Sequence, residues 1–504
     1  MVIRKLETRG LVRKLATGIA ALVLVLPFGA SAEGDKRLEI SLDQALDLAL
    51  RNNLELEGER LLPGLAASEV GRAKATFDPT LSSRLEYTRD RLPAQLMIRP
   101  DDIEALTFEA VVRQQLPWGT SYELGYGYDR VDLAAEQAPG ATHGARLHLG
   151  LRQPLLKGAW GIEGRTAVAQ AERTVGIADA ELARRRDAIL ARTVEAYWRL
   201  VRARESMVVA SESLRVAKEL HGQTQIQVTA GTLEPVEVTQ ASAGVALREE
   251  AVIRAEAEIG DAQDALLRLV AADEEATFDF EVVPTERIEA EVQAVELQPL
   301  LQQAHANRPE LAALRLALDN EEDGLKLARN QLLPSLDAVG SVGVGGLDER
   351  WADGHRELGS DFDSQYRWSA GLQFTLPIGN RAARSGKEAA ELSFRRTKAA
   401  LRDVELRVSE EVRSAARAVN ASAKRVLATR EAVRLAGEQL RAEKRLLEVG
   451  HSTSFRLLRL EADLVSARNA QIAAVTDHLT QRFHLDRVVG GLGEKVATPE
   501  GTSL

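Results

Sequence analysis

The sequence contains no cysteine, little aromatic material and no long apolar run beyond its first residues, and each shortage closes off a class of protein. Without cysteine there is no disulfide framework, thiolate metal site, thiol nucleophile or lipid-anchored N-terminal cysteine. After residue 32 no stretch approaches the ~20 apolar residues that a membrane-spanning helix needs. A basic excess is missing too. Against 75 Asp and Glu stand 65 Lys and Arg, a formal charge of −10, which argues against a general nucleic-acid binder. Walker, serine-elbow and His-Glu-x-x-His patterns are absent. The closest histidine pairs, His143 with His148 and His478 with His484, lack zinc spacing. Glu321-Glu322-Asp323 and Asp273-Glu274-Glu275 read as a solvated helix face and a polar linker. The expectation is no catalytic residue, no cofactor and no metal site.

What is present begins with a leader. Arg4, Lys5, Arg9, Arg13 and Lys14 precede an apolar stretch from Ala16 to Leu26, and Ala30-Ser31-Ala32 supplies small residues for cleavage. Residues 1–32 therefore read as a signal peptide, and the mature chain leaves the cytoplasm.

The remainder repeats itself. Residues 49–56, Ala-Leu-Arg-Asn-Asn-Leu-Glu-Leu, resemble residues 304–311, Ala-His-Ala-Asn-Arg-Pro-Glu-Leu, and Pro79-Thr80-Leu81 resembles Pro334-Ser335-Leu336. Gly150 to Gly158 falls on Gly371 to Gly379, and the segment ending at Gly231 falls on the one ending at Gly450. Each copy reads as short helix, helix to a proline, β segment, long helix, glycine turn and returning helix. This is a tandem duplication. The expected units are 33–271, with a β segment at 80–156 and a hairpin tip near 231, and 306–491, with a β segment at 335–379 and a tip near 450. A segment at 272–305 separates them, and 492–504 forms a tail.

The β segments alternate with period two. Trp368, Ala370, Leu372, Phe374 and Leu376 interleave with Ser369, Gly371, Gln373 and Thr375, and Tyr122, Leu124, Tyr126 and Tyr128 interleave with Glu123, Gly125, Gly127 and Asp129. Only Tyr197 and Trp198, among all Trp and Tyr, lie outside the windows 81–160 and 336–380. Aromatic crowding on alternating strands suits an outer-membrane barrel with interfacial girdles. The first copy carries an extra stretch around 105–130. It is expected to extend a loop, because added strands would widen the barrel beyond its match to a helical tube.

From Ala159 to Thr229 and from Arg381 to Val449 there is no proline, and Ala, Leu, Arg and Glu dominate. Such helices reach about 100 Å. Val419, Val426, Val433, Leu440 and Leu447 recur every seven residues, with Ser422, Thr429, Ala436 and Glu443 between them, as in a supercoiled seam. Gly231 and Gly450 end the two long arms, where positive φ is favoured. The returning helices, 235–271 and 453–489, are about half as long. The pre-strand helices, 310–333 and 43–77, supply the missing half by stacking end to end with them. Seams this narrow imply oligomerisation.

The chain resembles the TolC-like outer-membrane efflux proteins, the outer-membrane factor family. The resemblance is carried by Ser41-Leu42-Asp43-Gln44-Ala45-Leu46 through Asn52, Asn307-Arg308-Pro309-Glu310-Leu311, and the helix–strand junctions Pro79 and Pro334. Gln153-Pro154-Leu155-Leu156-Lys157-Gly158 and the two tip turns complete it. It implies an α+β fold in which long antiparallel α-helical hairpins form a coiled-coil tunnel and β-strands join a trimeric outer-membrane β-barrel. It further implies a homotrimer in outer-membrane lipid, docked through its tips to a periplasmic adaptor and an inner-membrane pump or ABC exporter. By the same resemblance, 272–305 becomes an equatorial segment. Family members carry aspartates six and nine residues beyond the second tip glycine; here those positions hold Arg456 and Arg459. With Glu234 and Glu237 at the first tip, these arginines form the expected periplasmic gate. The competing reading is a soluble periplasmic coiled-coil adaptor or scaffold, although adaptors usually carry one hairpin rather than two.

Overall fold

A computed structural model describes residues 37–91, 102–134, 141–271, 280–350, 366–449 and 451–492. The leader, the tail beyond 492, Gly450, Trp351 and the acidic run at 273–275 lie outside the described residues.

Strand β1 (Arg37–Ile40) leads into α1 (Leu42–Asn52), α2 (Leu54–Glu59) and α3 (Leu62–Lys74). Four strands follow: β2 (Thr80–Arg91), β3 (Asp102–Gln115), β4 (Ser121–Ala134) and β5 (Ala141–Pro154). The first hairpin is α4 (Ile162–Thr229) with α5 (Pro235–Val270), after which come β6 (Glu281–Pro284), α6 (Leu297–Asn307) and α7 (Pro309–Asn330). Strands β7 (Ser335–Asp348) and β8 (Tyr366–Thr375) and the second hairpin, α8 (Arg381–Glu448) with α9 (Ser454–Val489), complete the chain. Among the described residues no helix is both long and apolar enough to cross a membrane.

The long arms α4 and α8 have 68 residues each, about 100 Å, and their returning partners α5 and α9 have 36. Their buried apolar residues are concentrated between Ile189 and Leu220 on α4 and between Val408 and Val426 on α8. Side-chain pairs three or four residues apart add to this on the exposed faces, among them Arg215 with Glu212 and Glu219 on α4 and Arg434 with Glu431 and Glu438 on α8.

Each short returning helix is continued by the helices of its own repeat. The Asn52 and Asn53 side-chain amides donate to the carbonyls of Val270 and Leu269 at the end of α5, where α2 takes over. At the matching place Arg308 Nη1 donates to the Val488 carbonyl at the end of α9, where α7 takes over. Gly490, at φ +78°, ends α9 so close to Asn307 that an added Cβ would lie 3.0 Å from its backbone. The last-turn carbonyls, which a free helix end leaves without partners, are thereby answered by the incoming segment.

The apolar core sits at the waist, where β1 pairs in parallel with β6 and α1 packs on α4. Tyr197 is fully buried and its hydroxyl donates to the Ile40 carbonyl, while Trp198 meets it edge-on at 5.6 Å. These two aromatics, set apart in the sequence from all other Trp and Tyr, anchor the long helix to the waist. A second cluster, around Val412, Leu311 and Val488, fixes α8, α7 and α9 to one another.

The main sheet corrects one expectation. Its order is β2-β3-β4-β5-β7-β8, antiparallel throughout, so residues 102–134 are two full strands and not a loop extension. Sequence alternation marked the strand but not its pairing partners. The 116–120 turn between β3 and β4 returns to the helical end of the sheet. There the Pro117 carbonyl lies only 2.2 Å from where a Cβ on Gly161 would stand, an approach that glycine alone permits. Gln114 reinforces the seat by donating to the Phe77 carbonyl at 2.7 Å.

Candidate functional site

Because pairing is in register, side chains form rows across all six strands, alternating between two faces. One face carries Leu81, Val112, Leu124, Leu149, Val342 and Trp368 in a single row, and Leu85, Phe108, Tyr128 and Ala145 in another. Leu81, Leu85, Tyr87, Trp368, Leu372 and Phe374 are all at least 60% exposed in the single chain. An apolar surface this continuous is not stable in water, and it suits lipid.

The opposite face is polar. Arg113 Nε bonds Glu123 at 2.6 Å, His148 Nε2 lies 3.2 Å from the same carboxylate, Arg146 pairs with Asp129 at 3.3 Å, and Arg152 pairs with Asp337 at 2.7 Å. Several of these side chains lie across glycines. A Cβ on Gly125 would stand 2.0 Å from His148 Cε1, and one on Gly144 would stand 2.7 Å from Asp129 Oδ2. The polar groups are thus folded flat against the wall.

Sheet and helices join through matched turns. Pro79 and Pro334 immediately precede β2 and β7. Gly158 (φ +73°) and Gly379 (φ +86°), equivalent in the two copies, turn the chain from strand into long helix. Asn330 bridges one junction, accepting from the Gly158 amide at 2.7 Å, and Asn380 bridges the other by donating to the Leu332 carbonyl at 3.2 Å.

At the far end, Gly231 has φ +76°, and the Thr232 amide donates to the Gln227 carbonyl while the Gly231 amide donates to Val228. This double bond is the glycine-terminated helix stop expected for the first tip. At the second tip the His451 amide makes the corresponding bond to Leu446, although Gly450 itself lies outside the described residues.

The four charged tip residues do not assemble within one chain. Arg456 Nε pairs with Glu443 at 3.2 Å, across its own hairpin, and Ser452 Oγ donates to the same carboxylate. Glu443 is 8% exposed on its side chain. Arg459 and Glu234 are exposed, and Glu237 Oε2 is buried without a hydrogen-bond partner. Glu443 was visible in the sequence as a carboxylate on a seam position, which needs a cation nearby.

Sequence reasoning missed a further link. Arg248 on α5 bonds Glu461 on α9 through Nε at 3.1 Å and also through Nη2, and the two side chains are 13% and 7% exposed. The same guanidinium donates to Ser213 Oγ on α4 and to the Gly244 and Leu458 carbonyls. It ties the first hairpin to the second. Nothing in the spacing could single it out among so many helical Arg and Glu.

Nearer the waist, burial pushes the Asp187 carboxyl up despite adjacent Arg186, and pushes His484 and His478 below the ordinary imidazole range. Ser422 Oγ lies 2.8 Å from His478 Nδ1.

A two-faced sheet with both edges bare, joined to helices of about 100 Å, defines a class: chains that build a membrane channel and a helical tunnel only in company with copies of themselves. Comparison with known proteins agrees. Residues 300–491 match the family model described as outer membrane efflux protein. The outer membrane protein TolC of Vibrio cholerae is 23% identical over 442 residues, covering 87% of this chain and 97% of TolC. In fold, the chain is similar to the outer membrane protein VceC from Vibrio cholerae (TM-score 0.63, 18% identity, 89% of this chain and 96% of that one). It is likewise similar to the Campylobacter jejuni CmeC outer membrane channel (TM-score 0.63, 16% identity, 89% and 85%). The second half of the chain thus matches the outer membrane efflux protein family, and the whole chain has the fold of outer-membrane channels. It is an outer-membrane channel protein whose helices extend into the periplasm. TolC-like channels form trimers and work with an adaptor and an inner-membrane pump.

Proposed function

We propose that this chain is the channel-tunnel subunit of a tripartite efflux or type I secretion system, passively conducting cargo delivered by an inner-membrane pump or ABC exporter. Three copies complete the barrel and the tunnel, and the tips at Gly231 and Gly450 meet a periplasmic adaptor. The observation that carries this reading is the direct junction, at Pro79 and Pro334, between a sheet with one apolar face and arms of about 100 Å. A periplasmic adaptor has no use for such a sheet face.

At the mouth, Arg456, Arg459, Glu234 and Glu237 are the charged groups available to a gate, with Glu443 holding Arg456 in the isolated chain. Ion pairs formed by the exposed groups Arg459 and Glu234 would be individually weak, ~0.2–1 kcal/mol, so adaptor binding suffices to rearrange them.

The test is membrane fractionation followed by purification in detergent and mass measurement. An outer-membrane trimer that conducts ions in planar bilayers is expected. A monomer released with the soluble periplasm ends the proposal and returns the chain to the adaptor class.

A further inference from the structure

The strand count carries an inference about the pore itself, which rests on the channel reading above. We propose that three copies of this chain close an eighteen-stranded barrel, six strands from each, with β3 and β4 as full staves of the wall. Four strands per copy, the number left without that hairpin, would close twelve.

Three independent observations support it. First, β3 and β4 lie inside the sheet, between β2 and β5, paired along their whole lengths of 14 residues. That length suits a tilted membrane strand, which needs about 9–11 residues to cross. Second, both strands carry the two-sided pattern at the same height as their neighbours. Phe108, Ala110, Val112, Leu124, Tyr126 and Tyr128 continue the apolar face, while Glu109, Arg113, Glu123 and Asp129 continue the polar one. A hairpin hanging over the mouth would have water on both sides and no reason for that division. Third, the 116–120 turn is locked against Gly161 at the helical end of the sheet, where barrel strands must turn.

Closure follows from direction. With six strands alternating, β2 and β8 run oppositely, so the bare β8 edge of one copy meets the bare β2 edge of the next as an antiparallel pair. At ~4.8 Å between strands and ~40° of tilt, eighteen strands give a backbone radius of about 18 Å, against about 12 Å for twelve. The enclosed cross-section is roughly doubled. Glycines beneath His148 and Asp129 let polar side chains lie along the wall, which keeps that added width clear.

The absence of cysteine makes the test direct. Single cysteines are placed at Ala110→Cys and Glu109→Cys on β3, and at Leu372→Cys and Gln373→Cys on β8. Each carries an environment-sensitive fluorophore in vesicles containing brominated lipid. The expected result is lipid quenching at 110 and 372 and aqueous quenching at 109 and 373. Spin labels on Leu372→Cys, which project outward from the wall, should lie about 40 Å apart across the threefold axis, against about 30 Å for twelve strands. Removing residues 102–134 should bring the longer distance down to the shorter. If both β3 labels are aqueous while 372 is lipid-quenched, or if the distance is about 30 Å in the full chain, the eighteen-stranded barrel is overturned and the channel stands. If position 372 is aqueous as well, the channel reading fails, and this proposal with it.

Discussion

Arg248 and Glu461 form a buried ion pair that crosses from the first helical hairpin to the second. The guanidinium also answers Ser213, Gly244 and Leu458, so its donors are spread over three helices. A pair of this kind specifies how the hairpins sit as much as how strongly they hold.

Truncating one partner should therefore be far worse than replacing both. Arg248→Met leaves Glu461 buried without its cation and Glu461→Leu leaves the guanidinium without its anion, each costing about 3–5 kcal/mol, whereas the two substitutions together should be near neutral. Thermal unfolding of the four proteins in a double-mutant cycle reads the difference. A loss in the double variant equal to the sum of the two single losses would mean that the pair has no coupling.

Gly231→Val should strain the first tip without unfolding the arms. A β-branched residue at φ +76° costs about 1–2 kcal/mol, while the space around the missing Cβ is open. Trimer yield in the outer membrane should stay normal and adaptor-dependent export should fall. Unchanged export would remove this turn from the docking surface.

Arg456→Ala should free Glu443, a carboxylate only 8% exposed, to repel or to seek another cation near the mouth. Basal conductance in planar bilayers should rise, and its salt dependence beyond bulk conductivity should weaken. Arg459→Ala, which removes an exposed arginine, should have the smaller effect. Identical conductance and selectivity in all three proteins would show that neither arginine guards the mouth.

The waist should weaken in mild acid. Burial holds His478 and His484 below their ordinary value of 6.5, so each stabilises the fold above that pH and withdraws its contribution as pH falls through its lowered value. Asp187, raised by burial, acts in the opposite sense, so a variant comparison is needed. His478→Asn keeps a polar partner for Ser422 but cannot titrate. Its melting temperature should drop less than that of the wild type between pH 7.5 and pH 5. Parallel pH curves would assign the acid sensitivity elsewhere.

The duplication, the long arms and the tip turn at Gly231 were legible because each depends on local chemistry: helix formers without proline, and glycine where φ is positive. Tyr197 and Trp198 stand apart from the other aromatics in the sequence, but their place at the waist follows only from the packing of β1 and α1 on α4. The strand status of 102–134 was not. Alternation at Tyr122, Leu124, Tyr126 and Tyr128 announces a strand, but whether it joins a wall depends on β2 and β5, which flank it on either side. The Arg248–Glu461 link was hidden for a related reason, since 213 residues separate its partners and both belong to the commonest helical types.

The hairpin at 102–134 enters one repeat and leaves the other untouched, and its insertion reverses no neighbour because it adds one strand running each way. A single added strand would set β5 parallel to its neighbour and place the start of α4 at the wrong end of the sheet. Growth of such a wall is therefore stepwise: a hairpin per copy is the least increment, and threefold symmetry multiplies it to six. Pore size in this architecture is a discrete variable, open to change by insertion at a turn and closed to gradual adjustment by substitution.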